Sequence, residues 1–279
     1  MQRCRMIVDA HQHFWQLANP FTDWPTPDLA AIHRDFGPAD LAPHLAATGI
    51  AATVLVQAAP SLEETRWCLT LAARTSFVKG VVGWIDFAAD DAVEQLQELA
   101  RNPLLKGLRP MIQSISEPGW ILCGEFSPVL RAMVEHGLRF DALVHPHQIS
   151  EIAALAALYP ALPIVLDHGG KPDIAAGAFD GWARDVEHLA AHGNVWCKLS
   201  GLWTEADGQH GDTEIAPFAQ HILAFFGAGR VMWGSDWPVV ELAGDYADWF
   251  AQSLGFLAED QKDRVMGGNA VRFYGLDDD

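Results

Sequence analysis

The sequence is poor in cysteine and in basic residues, and it has no apolar run long enough to cross a bilayer. Its four cysteines, Cys4, Cys68, Cys123 and Cys197, are scattered without a Cys-x-x-Cys pair. A disulfide framework is not expected in a chain this long, and reduced thiols in a cytoplasmic protein are the simpler expectation. Lysine and arginine number 18 against 36 acidic residues, a formal net charge of −18. That field argues against nucleic acid and anionic membranes as partners and for a neutral or weakly charged small molecule. No stretch approaches the ~20 apolar residues of a membrane span. Met1-Gln2-Arg3-Cys4-Arg5 is basic, but no signal-peptide core follows it. Internal repeats, low-complexity segments and linker-like breaks are also missing.

What is present is a large apolar fraction, 50% of 279 residues, enough to bury a substantial single core. It is organised around residues 7–14, Ile-Val-Asp-Ala-His-Gln-His-Phe, which read as a short buried strand ending in two histidines. Side chains at i and i+2 of a strand share a side, so His11 and His13 should project together from its C-terminal end. A proline- and tryptophan-rich segment follows from 14 to about 38, with Pro20, Pro25, Pro27, Trp15 and Trp24. That proline density excludes regular structure, and a loop this long in a compact domain is usually functional.

Further apolar strands are expected at 52–58, 77–86, 105–109, 139–144, 163–168, 195–200 and 231–236. Helices should fall between them. One lies at about 40–47, stopped by Gly49. The next is capped by Ser61, with Glu64 completing a capping box. Another starts near Asp90 and buries Val93, Leu96, Leu99 and Ala100. The fourth has Ser127 as cap, Pro128 in its first turn and Gly137 past its end, with Leu130, Met133 and Val134 buried. Later ones lie at about 150–159, around Trp182, Val186 and Leu189, and around Phe218, Ile222 and Phe225. The last spans about 258–274. Strands that are apolar throughout fit a parallel sheet covered on both faces. Eight strand–helix units over residues 1–279 describe one (β/α)8 barrel domain. The rival, an open doubly wound sheet, lacks its glycine-rich dinucleotide loop.

Barrel active sites form at the C-terminal ends of the strands. Those ends carry His11, His13, Gln57, Asp86, Arg109, His145, His147, His168, Lys198 and Asp236. A lone histidine near a core is more often a satisfied structural residue than a ligand, but the joint occurrence of His11, His13, His168 and Asp236 points to function. Lys198 sits in an apolar strand, where an unpaired ammonium would be costly, so it should face the site or a carboxylate. Arg109 suits a substrate contact or a strand-end ion pair. Lys171, in a Gly-Gly-Lys-Pro turn, reads as a solvated residue. Trp15, Trp84, Trp233 and Trp237 lie near strand ends, where they could stack on a sugar ring or fill the core.

At these residues the chain resembles the amidohydrolase superfamily, whose barrels carry His-x-His on strand one, a histidine on strand six and an aspartate on strand eight. It is most similar to the lactonase branch that includes L-fuconolactonases, L-rhamnonolactonases and 2-pyrone-4,6-dicarboxylate lactonases. The matching segments are Asp9-Ala-His-Gln-His-Phe-Trp15, Val165-Leu-Asp-His-Gly-Gly-Lys-Pro172, Cys197-Lys-Leu-Ser-Gly-Leu202, Met232-Trp-Gly-Ser-Asp-Trp-Pro238 and Asn269-Ala-Val-Arg-Phe-Tyr274. They run in order along nearly the whole chain.

The resemblance implies hydrolysis of a sugar-acid lactone, with Asp236 as general base and His168 beside it. Gln57, Arg109, His145, His147, Lys198, Trp15 and Trp84 are the expected substrate-binding residues. His11, His13, His168 and Asp236 could hold one divalent metal, zinc first, or the histidines could donate directly to the developing oxyanion, leaving the metal dispensable. Strand four ends in Arg109 rather than the lysine of binuclear relatives, so at most one ion is expected. The rivals are a dicarboxylate lactonase, a metal-dependent decarboxylase and a non-catalytic sugar-binding barrel. A homodimer is compatible with the sequence but not dictated by it.

Overall fold

A computed structural model describes residues 6–208 and 211–276. The basic segment Met1–Arg5, with Cys4, lies outside the described residues. Eight parallel strands follow one another in chain order: β1 (Val8–Gln12), β2 (Ala52–Val56), β3 (Val78–Gly83), β4 (Leu105–Leu108), β5 (Arg139–Ala142), β6 (Ile164–Leu166), β7 (Val195–Leu199) and β8 (Val231–Trp233). Each pairs with the next, and β1 meets β8 through a Gln12–Trp237 bridge. The architecture is a (β/α)8 barrel. Its strands are buried along nearly their whole length, as a sheet covered on both faces requires.

The expected strands are trimmed at their C-terminal ends. Residues 84–86, 167–168 and 234–236 lie beyond the ladder, in the loops that follow β3, β6 and β8. The helices are α1 (Pro38–Thr48), α2 (Leu62–Ala72), α3 (Ala92–Leu99), α4 (Ser127–Glu135), α5 (Ile149–Leu158), α6 (Asp180–Ala190), α7 (Asp212–Phe226) and α8 (Tyr246–Gly255). Gly49 ends α1 in the left-handed conformation at φ 73°, where a residue without Cβ is unstrained.

Several local expectations need correction. Ser61 accepts from the Glu64 N–H at 3.3 Å, but the Glu64 carboxylate does not return to complete the box. It turns inward and accepts from the Ala58 and Ala59 N–H groups at 3.1 and 2.7 Å. Those donors lie just beyond β2, where no ladder satisfies them. Burial pushes this carboxyl up to about 7 against the opposing pull of the two N–H groups. Ser127 sits inside α4 and makes no cap; its hydroxyl accepts from Tyr159 instead. On α7 Phe218 and Ile222 are buried as expected, but the third buried residue of the stripe is Phe226, and Phe225 is exposed.

Helix α8 was not expected at all. Its cap is Asp245, whose carboxylate accepts from the Ala247 and Asp248 N–H groups at 2.7 and 3.3 Å. The expected last helix divides into Glu259–Asp263, a π-turn at Arg264–Gly268, and Asn269–Tyr274.

The main apolar core lies between strands and helices. A smaller cluster packs Val54, Val56, Val82, Val165 and Met232 against Phe273, Tyr274 and Leu276. The C-terminal segment thus closes the barrel at the N-terminal end of its strands. Gly267 allows that approach, since a Cβ there would lie 2.0 Å from the Met6 carbonyl oxygen. Cys68, Cys123 and Cys197 are free thiols. Among the described residues no helix is long and apolar enough to cross a membrane.

Candidate active site

The seam where β1 meets β8 carries the site. Asp9, fully buried, accepts from the Ser235 N–H at 2.9 Å, the Ser235 hydroxyl at 2.6 Å and the Tyr246 hydroxyl at 3.0 Å. Burial raises this carboxyl to about 6 even though those donors pull it down. Beyond this clasp, the Asp236 N–H donates to the His11 carbonyl at 2.8 Å and the His13 N–H to the Trp237 carbonyl at 2.7 Å. Residues 225 positions apart in the chain are therefore held side by side by backbone hydrogen bonds.

Four side chains converge there. His11 Nε2 lies 3.1 Å from His13 Nε2. Asp236 Oδ1 is 3.4 Å from His13 Nε2, 3.7 Å from His11 Nε2 and 3.8 Å from His168 Nε2. His13 Nδ1 faces the Val56 carbonyl at 2.8 Å, so it carries the proton and Nε2 is left as a bare lone pair. His168 Nδ1 is held by Ser200 Oγ at 2.9 Å. Burial lowers all three imidazoles, His168 to about 4. Burial alone would raise the Asp236 carboxyl, but the surrounding imidazoles hold it well below the usual carboxylate range.

His168 and Asp236 both adopt left-handed backbone conformations, with φ 52° and 58°. For residues with a side chain this costs roughly 1–2 kcal/mol each. Such strain persists only where the surrounding structure imposes it, and it clusters at functional sites.

Beneath the cluster lies a buried charge network. Lys198 Nζ is 2.6 Å from Asp141 Oδ2, 2.9 Å from Asp167 Oδ1 and 3.1 Å from His11 Nδ1. The Tyr274 hydroxyl donates to Asp141 Oδ2 at 2.6 Å. Burial would raise Asp167, but the Lys198 ammonium holds it well below its ordinary value. Arg109 is clamped from two sides. It donates to the Gln57 carbonyl and to Gln57 Oε1 at 3.2 Å, and lies 3.6 Å from Asp167 Oδ2. Gln57 in turn donates to the Arg109 carbonyl at 3.0 Å.

Above the cluster opens a cavity of about 430 Å³, whose lining includes His13, Arg109, His168 and Asp236. Asp23 and Trp24, from the proline-rich segment, close one side, so the long loop does reach the site. Lys171 also lines this cavity, contrary to its expected place in solvent.

Other expected contacts fall elsewhere. Trp15 is buried in the core, where it donates to the Arg34 carbonyl at 2.7 Å and packs on Trp24 and Phe36. Trp84 is half-buried off the cavity, its backbone tied to Thr65 Oγ1 at both N–H and carbonyl. Gln57 and Lys198 lie below the cavity and support Arg109 and His11 instead of lining it. His145 and His147 line a neighbouring cavity of about 850 Å³. Asp9 and Asp167 escaped the sequence reading, although each is two residues or fewer from a histidine of the cluster.

The donor set suits a divalent ion. A tetrahedral ion with bonds of ~2.1 Å places its ligand atoms about 3.4 Å apart. The separations among His11, His13 and Asp236 bracket that value, at 3.1, 3.4 and 3.7 Å. A second group, His11, Asp167 and His168, also has metal-like spacing. The Lys198 ammonium already neutralises Asp167 there, which leaves room for one ion.

The amidohydrolase family model matches residues 8–276. The chain belongs to the amidohydrolase family. This amidohydrolase is 48% identical to an L-fucono-1,5-lactonase of Burkholderia ambifaria over 97% of this chain and 96% of that protein. It is 32% identical to an L-fucono-1,5-lactonase of Burkholderia multivorans, with 96% of each chain covered. A crystal structure of an amidohydrolase from Burkholderia multivorans with bound Zn superimposes with a TM-score of 0.91 at 32% identity, over 98% of this chain and all of that one.

Proposed function

We propose that this amidohydrolase opens a sugar-acid lactone, L-fucono-1,5-lactone or a close stereochemical relative, to the free aldonate. The observation that carries the reading is the ionised Asp236 carboxylate, set among three imidazoles and lining the cavity above them. The full-length likeness to two L-fucono-1,5-lactonases supports the substrate class.

Hydrolysis of a lactone needs an activated water, a polarised carbonyl and a proton for the departing ring oxygen. Asp236 accepts the proton of the attacking water and returns it to the ring oxygen as the C–O bond breaks. His168, 3.8 Å from Asp236, borders the same water position. Arg109 lines the same cavity, where its guanidinium can donate to an oxyanion. His11, His13 and Asp236, with His168 beside them, would hold a zinc ion, which supplies Lewis-acid polarisation of the carbonyl when bound.

The cavity favours a neutral polyol over a dicarboxylate. Its permanent cations are Arg109, already engaged by Gln57 and Asp167, and Lys171. That is too little free positive charge to bind two carboxylates in a chain of net charge −18. The test is a panel of sugar lactones, 2-pyrone-4,6-dicarboxylate and benzoate-type carboxylic acids in weak buffer, with acid release and carbon dioxide followed, with and without chelator. Acid release from sugar lactones, reduced but persisting in chelator, is expected. Turnover confined to the dicarboxylate, or carbon dioxide without acid, overturns the assignment.

A further inference from the structure

Among the described residues, four other than glycine have positive φ: His168, Lys171, Asp207 and Asp236. Two belong to the convergent cluster already described. Lys171, at φ 51°, ends a left-handed turn that begins at His168 and runs through Gly169 and Gly170 at φ 59° and 76°. Its N–H closes the turn by donating to the His168 carbonyl at 2.9 Å. A lysine gains nothing from this conformation over a glycine, so the strain is offset by what its side chain does.

That side chain lines two cavities at once, the one above Asp236 and the larger one bounded by His145, His147, Asp173 and Glu205. Lys171 Nζ is 3.6 Å from Glu205 Oε1, with both side chains mostly buried, at 23% and 22% exposure. At that distance the pair is an ion pair without a tight hydrogen bond, so donor and acceptor capacity is left over on both sides. An ammonium beside a carboxylate matches a pair of neighbouring hydroxyls, one accepting and one donating. A carboxylate ligand, by contrast, would be repelled by Glu205.

We infer that Lys171 and Glu205 form the hydroxyl-reading subsite, through which this enzyme distinguishes a polyhydroxylated lactone ring from a bare one. The inference rests on the lactonase reading and adds to it the group that selects the substrate. Lys171 donates to one ring hydroxyl, Glu205 accepts from its neighbour, and neither takes part in bond breaking.

The experiment compares a sugar lactone with the unsubstituted lactone of the same ring size in the wild type, Lys171→Met, Lys171→Arg and Glu205→Gln. Where the bare lactone turns over too slowly, its competitive inhibition constant serves instead. Loss of a hydrogen bond to a charged group predicts that Lys171→Met lowers kcat/KM on the sugar lactone by about tenfold to a hundredfold. The bare lactone should change by less than about threefold, Glu205→Gln should shift the same ratio in the same direction, and Lys171→Arg should restore part of it. Equal losses on both lactones would assign the pair a structural role and overturn the inference. So would an unchanged ratio in both variants. A wild type that opens no sugar lactone would instead remove the lactonase reading itself.

Discussion

Replacing Gly201 by alanine tests the geometry of the site through one methyl group. Gly201 lies just beyond β7 at φ 64°, and a Cβ built there meets His168 Nδ1 at 2.5 Å and its Cγ at 2.7 Å. Ordinary contact begins at 3.4 Å, so the imidazole must retreat by about 0.9 Å. The retreat also stretches its 2.9 Å bond to Ser200 Oγ. A misplacement of ~1 Å at a reacting centre costs on the order of 10²-fold in rate. The backbone penalty of a left-handed alanine is separate, roughly 1–2 kcal/mol, or several degrees of Tm for a domain of this size. Gly49→Ala supplies the control, because that glycine has φ 73° and open space where the Cβ would stand. Both variants should melt a few degrees lower, while only Gly201→Ala should lose about a hundredfold in kcat on the lactone. Matching activities in two equally destabilised variants would refute the proposed position of His168.

Asp236→Asn should abolish lactone opening, by at least about a thousandfold, while leaving Tm within a few degrees; retained turnover would move the base elsewhere. Lys198→Met leaves Asp141 buried without its cation and Asp167 with only the more distant Arg109. Breaking a buried pair from one side typically costs about 3–5 kcal/mol, measurable by urea unfolding, and a loss below about 1 kcal/mol would contradict the network. Burial lowers His168 to about 4 from an ordinary 6.5. Lactone turnover should therefore hold as pH falls past 6 and fail only near 4. Over the same interval the unfolded chain takes up a proton that the native site refuses, so stability declines as pH drops from about 6.5 toward 4. An activity inflection at 6.5 would refute the buried placement.

The barrel was legible because its strands are continuously apolar and its helices are punctuated by glycine and capping residues. The four convergent side chains were legible because each ends a strand, and strand ends share one face in this fold. What escaped depends on which way a side chain turns once the chain is folded. Glu64 fits a local capping box by spacing, yet the unpaired N–H groups beyond β2 draw it inward. Trp15 and Trp24 are nine residues apart in the same loop and look equivalent, but only Trp24 reaches the cavity. The sequence leaves Arg109 between a substrate contact and a strand-end ion pair, and only the folded positions of Gln57 and Asp167 show it clamped by both while it lines the cavity. Helix α8 did have a signal, the capping Asp245 with Tyr246 and Trp249 three apart, though its buried face continues through Ser253 rather than an apolar residue.

The seam between the first and last strands has a consequence for when the enzyme becomes active. His11 and His13 stand far from Asp236 along the chain, and the clasp of Asp9 with Ser235 and Tyr246, together with the backbone bonds of Asp236 to His11 and of His13 to Trp237, brings them together. A nascent chain could fold seven strands and still hold no complete site. Catalytic competence is thus withheld until the ring of strands shuts, and turnover reports directly on that closure.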